Sequence, residues 1–244
     1  MPPAISKVIA LDGPSGSGKS TVARALARHL GWRYVDTGAT YRLATLAVLR
    51  SGTDLGDAEQ VAAVVAAARI SLSTDPGAPL AALEGEDVGA VIRGAEVTSA
   101  VSAVSAVPAV RAQLVGLQRE LAGAAGAVLE GRDIATAVFP DAAVKVFLDA
   151  SQEVRASRRA ADGDAGVRPG GAATDLVASV SADLARRDRL DSSRAASPLV
   201  AAADAVQLDS SALSAEQVVE LVLAMAAAAG LVAAGPPSLP QDRT

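Results

Sequence analysis

The spacing of apolar residues along this chain changes several times, and each change marks an element. Val8-Ile9-Ala10-Leu11 is an unbroken apolar run that stops at Asp12-Gly13. It is too short for a helix and reads as a strand buried on both faces. Over residues 19–30 the spacing becomes helical, with Val22, Leu26 and Leu30 along one face and Gly31 as the stop. Tyr34-Val35 predicts a second strand, and Asp36-Thr37-Gly38 leads into a helix that reaches about Arg50. Strand, helix, strand, helix with short joints predicts a parallel sheet.

The middle of the chain follows another pattern. Residues 53–68 read as an Ala/Val helix. Residues 69–92 carry short apolar runs separated by Asp75-Pro76-Gly77 and Glu84-Gly85, which predicts a small β-rich insertion. Helices are expected over 94–106 and 108–123, with Pro108 at a tolerated first-turn position. Two more buried strands follow, at 128–129 and 144–148. A charged helix starts near 151, a Gly/Ala loop spans 163–171, and a further helix covers about 174–189. A last strand at 205–208 and a helix from 214 to about 229 precede a tail, GPPSLPQDRT, that should fray. The fold class is therefore α/β: about five parallel strands with helices on both faces. In domain terms, 1–234 is one unit. Its core is 4–52 and 106–230, its insertion about 53–105, its short lid about 160–173, and 235–244 is a flexible tail.

Composition narrows the chemistry. The chain has 244 residues, half of them apolar but only five aromatic (Trp32, Tyr34, Tyr41, Phe139, Phe147), so the core is built from Ala, Val and Leu. A net charge of −5 argues against a nucleic-acid-binding surface, which relies on an excess of Lys and Arg. With no cysteine, disulfides, thiolate metal sites and cysteine nucleophiles are excluded. The single histidine, His29, lies near the end of a predicted helix, where a cation is favoured. Of 22 basic residues only Lys7, Lys19 and Lys145 are lysine; the 19 arginines fit phosphate recognition or an Arg-rich codon usage equally. The first residues lack a basic start followed by a long apolar region. The longest uncharged stretch, 221–241, is broken by Gly235, Pro236 and Pro237. A cytoplasmic protein without a membrane partner is expected.

Gly13-Pro14-Ser15-Gly16-Ser17-Gly18-Lys19-Ser20 matches G-x-x-x-x-G-K-[ST] in full, between a predicted strand and a helix start. Its backbone N–H groups and the helix dipole would hold phosphates, Lys19 would reach the β- and γ-phosphates, and Ser20 would contact Mg²⁺. Thr21 starts the helix beside it. Four further segments are open to two readings each. Asp36-Thr37-Gly38-Ala39-Thr40-Tyr41-Arg42 follows the second strand, either as a second-substrate segment or as a capped strand-to-helix turn. Arg132-Asp133 follows another strand, so Arg132 could fork onto phosphate or pair with Asp133 to stabilise a turn. Residues 186–194 hold four Arg and two Asp and suit a site or a solvated helix face. Arg155, Arg158 and Arg159 suit a phosphate clamp or an outer face.

Together these blocks resemble the bacterial cytidylate kinases of the nucleoside monophosphate kinase group. The likeness runs from about residue 5 to 232. It includes the run from Asp12 to Thr21, Asp36-Thr-Gly-Ala-Thr-Tyr-Arg42, Leu83-Glu-Gly-Glu-Asp-Val88, Gly131-Arg-Asp133, Phe139-Pro-Asp-Ala142, 144–149 and 187–199. The resemblance implies a P-loop fold and transfer of the γ-phosphoryl of MgATP to CMP or dCMP. It implies ATP on residues 13–21 and on Arg155, Arg158 and Arg159, with the exact lid arginine undecided because 163–171 is less charged than the family's lids. It implies the CMP phosphate on Arg42, Arg132 and Arg194, the sugar on Thr37, Arg187 and Asp191, and the base on Ser102, Arg111 and Asp133, with Tyr41 beside them. Lys19, Arg132, Arg158 and Arg194 would be the catalytic set. The family's partners would be small nucleotides, and a monomer is expected. Another acceptor (UMP, AMP or a non-nucleotide) and a non-catalytic nucleotide switch are the competing functions. A guanine-reading Asn-Lys-x-Asp stretch is absent.

Overall fold

The computed structural model describes residues 6–161, 173–194 and 197–232; within these, the side chains of 173–179, 183 and 187 are not described. In chain order, β1 (Ser6–Asp12) leads through the phosphate loop into α1 (Lys19–Leu30), then β2 (Arg33–Asp36) into α2 (Thr37–Ser51). These bounds match the apolar pattern because both joints are capped. Asp36 accepts the Ala39 N–H at 2.9 Å, and Gly31 closes α1 through the carbonyls of Ala27 and Arg28.

Next come α3 (Ala58–Ala67), β3 (Ile70–Leu72), β4 (Ala81–Leu83) and β5 (Glu86–Asp87). The helix begins five residues later than its apolar pattern predicts, because Asp57 caps it by accepting the Gln60 N–H. Residues β3 to β5 form a three-stranded antiparallel sheet. Its tight turn places Glu84 and Gly85 at positive φ, as a two-residue hairpin requires. A 3₁₀ turn (Val91–Arg93) precedes α4 (Ala95–Ala106) and α5 (Pro108–Ala122), with Pro108 in the first turn of α5. Then follow β6 (Ala127–Gly131), a π-helical turn (Ile134–Val138), β7 (Ala142–Asp149), α6 (Gln152–Ala161), α7 (Ala173–Ser192), β8 (Val206–Asp209) and α8 (Ala215–Ala228). The predicted 163–171 loop, most of the predicted lid and the 235–244 tail lie outside the described residues.

The main sheet is fully parallel, in the order β2-β6-β1-β7-β8. Alternation along β1 divides the core. Ile9 and Leu11 face Val22, Leu26, Val218 and Val222 of α1 and α8, whereas Val8 and Ala10 face Leu129, Ile134 and Ala122 on the other side. Helices therefore cover both faces, as the buried strands require. Two further apolar clusters join α2 to the small sheet and to α3, α4 and α5. No single helix among the described residues is long and apolar enough to cross a membrane. Register sets the functional edge: Asp12 is level with Gly131 and Phe147, and Asp36 is level with Glu130. The loops that leave β1, β2 and β6 thus emerge side by side at the carboxyl ends of the strands.

Candidate active site

A cleft of about 470 Å³ opens at that edge. It is lined by residues 15–21 from the phosphate loop, by Thr37, Tyr41 and Arg42 from α2, and by Ser102 and Arg111 from α4 and α5. Glu130, Arg132 and Asp133 come from the end of β6, Arg158 and Arg159 from α6, and Asp191 and Arg194 from the end of α7. Sequence segments more than 150 residues apart thus meet on one concave surface.

The phosphate loop is held by its glycines. Gly13 has φ 147°, and a Cβ there would lie 2.0 Å from the Leu148 carbonyl oxygen; a Cβ on Gly16, at φ 79°, would lie 2.8 Å from that of Arg155. Only glycine permits both the backbone conformation and the close approach. Lys19 is buried and donates to the Pro14 carbonyl at 2.6 Å and to Ser17 Oγ at 3.3 Å. Its ammonium therefore closes over its own loop, where a phosphate would sit. Burial, and then Arg132, lower its pKa, while Glu130, Asp12 and Asp188 oppose the shift. Asp12, immediately before the loop, is also buried, and burial raises its pKa to about 6.

Arg132 does not pair with its neighbour Asp133. Its Nε donates to Asp191 Oδ2 at 3.0 Å, and Arg194 Nη2 lies 3.2 Å from Asp191 Oδ1. Burial lowers the Arg194 pKa, Arg111 and Arg132 add to that effect, and Asp191 opposes it. Cations crowded around a single carboxylate make a place for an anion. Asp133 pairs instead with Arg111, and both side chains are buried. Arg111 also donates to the Ser105 carbonyl at 3.2 Å and stands over the Tyr41 ring, 5.2 Å from its centroid.

Arg42 donates to the Ile92 carbonyl at 2.7 Å and to Thr98 Oγ1 at 2.9 Å, joining α2 to the α4 side of the cleft. Thr37 Oγ1 donates to the Glu130 carbonyl at 2.6 Å. Arg158 reaches the Ser17 carbonyl at 3.3 Å and Ser210 at 2.9–3.0 Å. Arg155 does not line the cleft. It lies behind the loop, donating to the Ser15 carbonyl at 3.1 Å and to Asp188 at 2.5 Å. Gly13 and Pro14 likewise form the base of the loop and do not line the cleft. Arg187 belongs to α7, but its side chain lies outside the described residues.

Several site residues carry no predicted role. Glu130 is buried and accepts from the Tyr34 hydroxyl at 2.6 Å and from Ser20. Burial and then Asp36 raise its pKa. Ser210, also buried, touches the loop through Ser17. Nothing near Ser210 in the sequence marks it. Glu130 was marked by its place beside Gly131-Arg132-Asp133, directly after a strand. Among the described residues, no group of three or more His, Asp or Glu side chains comes together to hold a metal ion unaided.

The description "Cytidylate kinase" belongs to the family profile that matches residues 9–228. The chain is 55% identical over 214 residues to a cytidylate kinase of Mycolicibacterium paratuberculosis, covering 87% of this chain and 92% of that one. It is 53% identical over 219 residues to a cytidylate kinase of Rhodococcus opacus, covering 89% and 93%.

Proposed function

The chain belongs to the cytidylate kinase family, and from that premise we propose how this cleft transfers the γ-phosphoryl of ATP to CMP or dCMP. The observation that carries the reading is the buried Arg111–Asp133 pair, with Arg111 over the Tyr41 ring, in the same cleft as the phosphate loop. Cytosine offers an amine donor beside two acceptors. A carboxylate suits the amine and a guanidinium suits the acceptors, so Asp133, Arg111 and neighbouring Ser102 form the base-reading wall.

Arg132 and Arg194, gathered on Asp191, would hold the acceptor phosphate together with Arg42, and Thr37, Arg187 and Asp191 would meet the sugar. The loop over 13–21 would hold the ATP phosphates, with Lys19 moving from the Pro14 carbonyl to the transferred group. No side chain need act as nucleophile, since a phosphate oxygen of CMP attacks directly. Lys19, Arg132, Arg158 and Arg194 would offset the charge that spreads over the phosphoryl oxygens, and catalysis then rests on positioning. Arg158 and Arg159 face the ATP side, and Arg155 supports the loop from behind.

The donor set suits Mg²⁺, a hard ion bound through one or two carboxylates and substrate phosphates. Ser20 would hold it, with Glu130 and Asp36 as nearby carboxylates. When bound, the ion would neutralise phosphate charge. The same reading takes the protein as a cytoplasmic monomer acting on free nucleotides, with an acidic balance of −5 in support of the last point.

The test is ADP release with CMP, dCMP, UMP, AMP and GMP as acceptors. Turnover should be highest with CMP and dCMP. Equal turnover with UMP, or none with any acceptor, would reject the reading.

A further inference from the structure

The π-helical turn Ile134–Val138 begins directly after Asp133, so Asp133 stands where a capping residue belongs. The first N–H groups of a helical turn have no partner within the turn, and a side chain at that position normally accepts from them. Asp133 does not do so; its carboxylate is committed to Arg111. The N–H of Ile134 and that of Ala135 donate instead to Oδ1 and Oδ2 of Asp12, each at 2.8 Å and across 122 and 123 residues of sequence. Asp12 is 2% exposed, and its backbone is level with Gly131 in the sheet.

We propose that Asp12 is a positioning residue for the acceptor: by capping the turn in place of Asp133, it leaves Asp133 free to hold Arg111 and read the base. The tether also fixes where Arg132 and Asp133 leave β6 relative to the phosphate loop, which starts one residue after Asp12. One carboxylate therefore registers the acceptor wall against the donor loop. Without it, the two buried N–H groups need another acceptor, and Asp133, which stands at the cap position, is placed to supply one. Asp133 would then turn away from Arg111. This inference rests on the cytidylate reading above.

Asp12→Asn tests it, since an amide has one acceptor oxygen and would set its NH₂ against the second N–H. Amide exchange in the unliganded protein reads the tether independently of any substrate. Ile134 and Ala135 should be protected in the wild type, and at least one should exchange faster in the variant. Kinetics read its use. The KM for CMP should rise on the order of tenfold and the CMP-over-UMP ratio of kcat/KM should narrow, while the KM for ATP stays within about twofold. In an Asp133→Asn background, Asp12→Asn should cause no further loss of discrimination, because it acts through Asp133. Asp12→Ser, which keeps one acceptor, serves if Asp12→Asn does not fold.

Unprotected Ile134 and Ala135 amides in the wild type would overturn the proposal without any variant. So would an equal rise in KM for ATP and CMP, which would make Asp12 a support of the phosphate loop alone. If the wild type prefers an acceptor other than CMP, the cytidylate reading fails. The tether then stands or falls on whether Asp12→Asn raises the KM of that acceptor over the KM of ATP.

Discussion

Asp133 and Arg132 are adjacent in sequence and opposite in work. Asp133 is bound to Arg111, on the wall proposed to read the base, whereas Arg132 is bound to Asp191, among the cations proposed to hold the acceptor phosphate. Asp133→Ala should therefore narrow the CMP-over-UMP ratio of kcat/KM, mainly by losing CMP activity, since a site built to hydrogen-bond one base rejects the other through unpaired polar groups. Arg132→Ala should weaken both acceptors alike. Equal loss of CMP and UMP in folded Asp133→Ala would remove its base-reading role. Asp12 gives a second test at this scale. Its folded pKa of about 6 lies above the ordinary value, because burial outweighs the two N–H bonds, with Asp133 adding and Lys19 opposing. The folded protein thus binds this proton more tightly than the unfolded chain. The resulting stabilisation is complete below about pH 4 and is lost as pH rises through 6, a span worth about 3 kcal/mol. Urea denaturation of wild type and Asp12→Asn between pH 4 and 8 should show the wild type losing stability relative to the variant as pH rises. A constant difference would contradict the assignment.

At the scale of elements, α6 carries Arg155 and, about one turn on, the adjacent Arg158 and Arg159, and the structure gives Arg155 and Arg158 different contacts. Arg155 and Asp188 form a pair that is only 11% and 20% exposed, and it ties α6 to α7 beneath the phosphate loop. Arg158 faces the cleft from the next turn. Arg155→Ala strands a half-buried carboxylate, so it should cost about 1–3 kcal/mol of stability with little change in the KM for ATP. Arg158→Ala should leave the melting point nearly unchanged and lower kcat on the order of a hundredfold. Thermal melts beside initial rates separate the two, and matching effects would mean that α6 contributes a single undivided function. Local signals placed most elements well: α1 and β1 end at the glycines and the aspartate that punctuate them. The exceptions have visible causes. The Asp57 cap delayed α3, and the π-helical turn escaped the apolar pattern because its first N–H groups are satisfied from another strand.

At the scale of the whole molecule, the cleft gathers parts of nearly every segment, so a ligand spanning it should stabilise the entire fold by mass action. A bisubstrate analogue joining cytidine to adenosine through a phosphate chain, at about 100 times its Kd, should add about 2.7 kcal/mol. For a chain of this size that is a rise of about 5–10 °C in melting temperature. The uridine counterpart at the same concentration should raise it less. Identical shifts would mean that the base contributes nothing to recognition.

Taken alone, the sequence was enough for the parallel sheet, the phosphate loop and the β-rich insertion, because these rest on local periodicity, turn chemistry and a motif of fixed spacing. Residues such as Ser102 and Arg111 were reached only through the family resemblance, and Ser210 was not reached at all. It left the partners open. Arg132-Asp133 reads as a phosphate fork or as a self-paired turn, and the three arginines of α6 are not told apart. Folding separated them, because pairing depends on which strands lie side by side. Placing β6 between β1 and β2 brings Asp12 to the turn after Asp133, and the end of α7 brings Asp191 to Arg132. Spacing within a segment decides what a residue can do; contacts between distant segments decide what it does.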